Sequence, residues 1–141
     1  MNAIVIANLT LRFLLELAGL AATAWWGFTT QSGLLAWIAG LGLPIVMATF
    51  WGVFRVPNDG GTPVVATHPL LRLLFEAAFF ALAVGLLFAA GQPTFATIVL
   101  ILVVINYGLD YRRTLSLLAG RIPATNAAAD AFGIGNGKRP R

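Results

Sequence analysis

Four ionisable residues stand inside apolar sequence at a repeated spacing. Arg12 and Glu16 lie in Leu11-Arg12-Phe13-Leu14-Leu15-Glu16, and Arg72 and Glu76 lie in Leu71-Arg72-Leu73-Leu74-Phe75-Glu76, sixty residues further on. On a helix, an Arg and a Glu four apart share a face. In hydrocarbon each costs roughly a few kcal/mol unless it is paired or wet. Such residues can do two kinds of work there. They can neutralise one another between helices as a structural clamp, or a carboxylate can pass a proton or cation through a cavity open to water. Asn8 extends the first stripe by one turn and His68 extends the second. Asn106, Asp110 and Arg113 share a face of a later segment and are placed to join the same network.

Local helix chemistry does not account for the motif. A cation near a helix N-terminus opposes the macrodipole, and Arg ahead of Glu is the weaker order of an i,i+4 pair. A tertiary arrangement does account for it: two antisymmetric pairs, Arg12 with Glu76 and Arg72 with Glu16, across a pseudo-twofold contact. At 1.5 Å rise per residue the carboxylates would lie on the order of 10 Å inside the apolar layer. Arginine can snorkel back to the headgroups from there, whereas the shorter glutamate cannot.

The elements that must position these residues are membrane spans. The chain has 141 residues, 59% hydrophobic and 10% charged, with mean hydropathy +0.86. That leaves too little polar surface to coat a soluble globule of this size. Spans of about residues 9–28, 34–54, 70–90 and 94–113 each approach the ~20 residues a crossing helix needs. The turns between them are Thr29 to Gly33 and Gly91 to Pro93, and a Pro/Gly-rich loop, Val56 to Pro69, separates two tandem hairpins. The fourth helix is expected to run on through Leu118 and stop at Gly120. Gly40, Gly42 and Pro44 would allow a bend and a close helix approach in the second span. The expected fold is therefore all-α, an integral membrane four-helix bundle over residues 1–121 whose two hairpins are related by a weak internal repeat. Residues 122–141 read as a disordered basic cytoplasmic tail.

The net charge of +4 comes from nine Lys and Arg against five acids. All nine lie at or within one turn of one side, and the turns at 29–33 and 91–94 hold none. This distribution predicts both termini and the central loop on the cytoplasmic side of the plasma (inner) membrane of a multi-pass protein, and it argues against nucleic acid as a partner. Trp25, Trp26 and Trp37 are then expected in an outer aromatic belt, with Trp51, Tyr107 and Tyr111 in an inner one. A cleavable leader ending at Ala22-Thr23-Ala24 is disfavoured, because Glu16 would interrupt its apolar run and the same pattern recurs at 71–81.

Other chemistry finds little support. The chain has no cysteine and one histidine, which argues against a metal site. His68, before Pro69, reads better as a residue at the start of a helix. Ser32 and Ser116 have no neighbouring histidine for a nucleophilic triad. No phosphate-binding glycine loop is present, so neither a cofactor nor an enzymatic activity is expected.

The motifs Asn8 to Ala18, Trp26-Gly27, Trp51-Gly52-Val53-Phe54, Leu71 to Glu76 and Gly91-Gln92-Pro93 together resemble the YrdB-like family of small bacterial membrane proteins, a family of unknown function, over about residues 8 to 110. The resemblance implies a four-helix protein of the bacterial plasma membrane and brings no activity or catalytic residue with it. The expectation is a non-enzymatic scaffold or accessory subunit in the lipid bilayer, partnered by itself or by another membrane protein. The alternative is a small proton-coupled transporter or channel using Glu16 and Glu76.

Overall fold

The first apolar run folds as one uninterrupted helix, α1 (Ala3–Thr30), in a computed structural model that describes residues 3–57 and 63–122. It begins ahead of Leu9 and takes in Thr29 and Thr30, which the sequence assigns to a turn. Both threonines are helical, and their hydroxyls donate back along the helix, to the Trp25 carbonyl at 2.7 Å and the Trp26 carbonyl at 2.6 Å, which satisfies them without a partner outside it.

Gly33, at φ +56°, turns the chain into the second apolar run. That run is built of α2 (Gly33–Trp37), a π-helical turn (Ile38–Gly42) and α3 (Leu43–Val53). Pro44 explains the wide turn: it has no N–H to offer the Gly40 carbonyl, and its ring crowds that oxygen. Gly40 then lies directly against α1. A Cβ placed on Gly27 would sit 2.3 Å from the Gly40 nitrogen and 2.5 Å from the Ala39 carbonyl carbon. The close approach expected of this segment is thus made by Gly27 and Gly40, whereas a Cβ on Gly42 would meet open space.

The loop that follows departs from the all-α expectation. Two short strands, β1 (Phe54–Arg55) and β2 (Val65–Ala66), pair in parallel with Phe54 opposite Val65, and the Thr67 N–H adds a bond to the Arg55 carbonyl at 2.8 Å. Backbone groups leaving a helix need partners, and this pairing supplies them.

Helix α4 (Pro69–Ala89) and helix α5 (Pro93–Leu109) each open on proline, which suits a first turn whose N–H is unbonded anyway. The main departure comes next. Instead of continuing through Leu118, the fourth helix stops at Leu109, Asp110 leaves helical geometry, and α6 (Tyr111–Leu118) departs at 80° to α5. A straight helix would carry Arg113 and Leu117 away from the bundle. Turned, α6 packs on α4 and buries Leu117 with Val56 and Leu73. The expected stop at Gly120 holds: at φ +68° it donates to the Leu117 carbonyl while Arg121 donates to that of Ser116.

Helix α1 is the hub, packing on α4, α5, α3 and the π-turn. Leu15, Met47, Phe79, Phe80 and Val103 fill the interior nearer the charged residues, and Ala22, Ala83, Val84, Leu87 and Ala96 fill the other half. The outward surface is equally apolar, with Leu14, Leu34, Ile45, Leu74 and Ile101 exposed. The chain is mostly helical, and Ile6–Thr30, Gly33–Val53 and Pro69–Ala89 are each long and apolar enough to cross a membrane. The α5–α6 pair makes a fourth span only if the bent pair is taken as one. The expectation of a disordered tail at 122–141 falls, from residue 123 on, outside the described residues.

Candidate functional site

The residues singled out by spacing converge where α1, α4 and α6 meet. Glu76 is the centre: its side chain is 1% exposed. Arg12 Nη2 donates to Glu76 Oε2 at 2.7 Å across the α1–α4 contact. Arg113, brought over by the bend at Asp110, grips the same carboxylate with both terminal nitrogens, Nη1 on Oε1 at 3.2 Å and Nη2 on Oε2 at 2.9 Å. Paired N–H donors on a carboxylate are among the strongest and most directional hydrogen bonds in proteins. The cluster extends outward from there. Arg12 Nε lies 3.5 Å from Glu16 Oε1, and Asp110 Oδ2 is 3.9 Å from both Arg12 Nη1 and Arg113 Nε. Three acids, Glu16, Glu76 and Asp110, therefore face two arginines, one from α1 and one from α6.

The Arg12–Glu76 pair is the one that the repeat implies. Its counterpart is built differently. Arg72 Nη1 donates to two backbone carbonyls at the end of α3, Trp51 at 3.1 Å and Phe54 at 2.7 Å. Its guanidinium also lies over the Trp51 ring, 4.2 Å from the centroid. A helix C-terminus leaves carbonyls without intrahelical partners and carries partial negative charge. Arg72 is thus the cap of the second apolar segment, while Glu16 takes its ion pair from Arg12 in its own helix.

Asn106 and Asn8 also meet, as their places on the two stripes suggest. Buried Asn106 Nδ2 donates to Asn8 Oδ1 at 2.8 Å, tying α5 to α1 one turn from the ion pairs. His68 does not extend the Arg72–Glu76 stripe inward. It is exposed and caps α4, its Nδ1 accepting from the Leu70 N–H at 3.3 Å, a first-turn donor that has no acceptor within the helix.

Two aromatics have roles that spacing did not reveal. Trp51, expected in a lipid-facing belt, is half-buried between Arg72 and Phe79, the latter ring 4.7 Å away. Tyr107, also expected in the belt, turns inward and packs beside Leu73 and Leu117. The signal that could have found Trp51 is its position one turn before the end of the second apolar run, where an arginine from a neighbouring helix has carbonyls to cap. Of the three tryptophans expected in the outer belt, Trp25 and Trp37 are more than half exposed and Trp26 is partly buried.

Chemically, this is a charge cluster whose central carboxylate is saturated. Breaking a buried ion pair strands a charge, so such a cluster disfavours any arrangement of its helices that separates the partners.

The family model described as "Protein of unknown function (DUF2568)" matches residues 10–104, a span that holds Arg12, Glu16, Arg72 and Glu76. The "Uncharacterized protein YrdB" of Bacillus subtilis (strain 168) is 32% identical over 114 residues, covering 79% of this chain and 93% of the relative. No solved structure matches the chain. With the Arg-Glu motifs inside the matched region and the relative aligned along nearly its whole length, the chain belongs to the YrdB-like DUF2568 family, whose function is not known.

Proposed function

We propose that this protein is a non-enzymatic four-span membrane scaffold or accessory subunit, with both termini and the central loop on the cytoplasmic side. In this reading α1, the Gly33–Val53 segment, α4 and α5 each cross the bilayer, and α1 and α4 are the related helices of two tandem hairpins. The observation that carries it is the saturation of Glu76 by Arg12 and Arg113. A carboxylate that exchanges protons during transport needs a neutral state of comparable free energy, and two arginines bonded to it oppose that state. A cleft of about 370 Å³ between α1, α4 and α5 supports the same reading. It is lined by apolar residues such as Ala18, Ala22, Leu87, Phe95 and Val99, and so offers a proton few hydrogen-bonding stations. A scaffold instead needs a rigid bundle with apolar outer faces, and α3 and α5 offer Ile45, Phe50, Ile98 and Ile101.

A transport reading has one feature in its favour. Glu16 is a quarter exposed and sits at the rim of the cluster, 3.5 Å from Arg12. The two readings separate on reconstitution into vesicles with an imposed pH gradient, alongside light scattering of the detergent-solubilised protein. The scaffold reading expects a gradient that persists as in empty vesicles and a mass above that of one chain. Dissipation by the parent protein that disappears in Glu16→Gln would overturn it.

A further inference from the structure

Helix α6 presents three faces, and the bundle uses only one. Arg113 and Leu117, four residues apart, turn inward, one to Glu76 and the other to Val56 and Leu73. Tyr111, Leu115 and Leu118 lie together on a second face, each more than half exposed, and Ile122 just beyond the helix is exposed as well. Arg112, Ser116 and Ala119 share the third face, with Arg112 and Ala119 exposed. The three sectors sit roughly 120° apart on a helical wheel. They suit three environments: protein, hydrocarbon and water.

The setting of the helix agrees with this division. Its axis makes 80° with α5, so with α5 crossing the bilayer α6 runs nearly along the surface. Its inward residues touch Leu73 and Glu76, four and seven positions into α4, a depth of roughly 6 to 10 Å at 1.5 Å per residue. That is the boundary between headgroups and acyl chains, where amphipathic helices rest. Arg112 Nε donates to the Tyr111 hydroxyl at 3.2 Å, which gathers a phenol and a guanidinium at the polar edge of the apolar face. Arg121 follows on the exposed side.

We propose that α6 is an interfacial helix that seats Tyr111, Leu115 and Leu118 in the acyl boundary of the adjacent leaflet and holds anionic phospholipid headgroups with Arg112 and Arg121. Charge selects this occupant over a second copy of the chain. An isologous contact through the same face would bring the arginines of one copy towards those of the other, whereas phosphates complement them. The inference rests on the membrane-spanning reading and is independent of the clamp.

The absence of cysteine makes the test direct. Full-length Leu115→Cys, Leu118→Cys, Ser116→Cys and Ile101→Cys variants would carry a nitroxide in nanodiscs of phosphatidylglycerol or of phosphatidylcholine. Relaxation by oxygen, which concentrates in the bilayer, is compared with relaxation by a water-soluble nickel chelate. Labels at 115 and 118 should favour oxygen several-fold and the label at 116 should favour nickel. Arg112→Gln combined with Arg121→Gln should lower the amount of phosphatidylglycerol retained through purification from mixed lipid by several-fold. Nickel dominance at 115 and 118, or dipolar broadening between labels on two copies, overturns the seating. Unchanged lipid retention in the double variant overturns the headgroup contact. The label at 101, in the middle of α5, reports on the membrane-spanning reading separately: nickel access there would overturn that reading rather than the interfacial one.

Discussion

The ion-pair cluster makes a quantitative prediction, because Glu76 is shared by two arginines rather than one. In Glu76→Gln the carboxylate is lost and two guanidiniums, with side chains 14% and 10% exposed, remain side by side. Breaking a buried pair in this way costs about 3 to 5 kcal/mol. Arg113→Met removes two charge-assisted hydrogen bonds but leaves Glu76 paired with Arg12, and Arg12→Leu removes one such bond, leaves the bidentate pair in place and takes the ion-pair partner from Glu16. With hydrogen bonds to charged groups contributing about 1.5 to 3 kcal/mol each before compensation, both Arg113→Met and Arg12→Leu should be measurably destabilising. Neither double substitution with Glu76→Gln should fully recover stability, since one arginine is always left over. Asp110, 3.9 Å from both arginines, is placed to take up part of that charge. The triple substitution Arg12→Leu, Glu76→Gln, Arg113→Met should recover only part of the loss, because it also takes the two arginines away from Glu16 and Asp110. The measurement is unfolding in detergent across the full set of single, double and triple variants, at fixed detergent and salt. Coupling energies of about 1 to 3 kcal/mol between Glu76 and each arginine are expected. Strict additivity within ~0.5 kcal/mol would refute the reasoning, because contacts that do not depend on one another give no coupling.

Further outcomes follow from the same structure. Gly27→Ala would push a methyl into the backbone at Ala39 and Gly40, so it should cost at least about 1 to 3 kcal/mol. Gly85→Ala, where the methyl meets open space, should be neutral or slightly stabilising in the same thermal scan. Leu117→Ala empties a fully buried position and should weaken the docking of α6 by about 2 to 5 kcal/mol. Faster proteolysis near Asp110 than in the parent would report it, and an unchanged cleavage rate would mean that Arg113 alone holds the helix. For topology, reporter fusions after Ser32 and Gln92 should read outside and a fusion after Gly60 inside. The opposite pattern would reject the orientation inferred from the arginines.

Much of this molecule is written in its one-dimensional order. Runs of apolar residues near the length of a bilayer crossing point to a set of long helices, because a backbone placed in hydrocarbon would have to satisfy its own hydrogen bonds. The four-residue spacing of Asn8, Arg12 and Glu16, and of Arg72 and Glu76, puts them on single faces whatever the packing, and the sixty-residue repeat points to the Arg12–Glu76 pair. Tertiary structure alone decided the rest. Periodicity says which side chains share a face, but the partner each face meets depends on helix rotation and on where a helix bends. Arg72 sits in a local sequence similar to that of Arg12, yet it caps the carbonyls of Trp51 and Phe54 because the end of α3 lies beside the start of α4. Arg113 reaches Glu76 only because the chain turns by 80° at Asp110. Nothing in the pattern from Pro93 to Leu118 forbids a straight helix. The bend is selected by what it gains elsewhere, the burial of Leu117 and a second arginine on a buried carboxylate, and both are contacts between residues far apart in the chain.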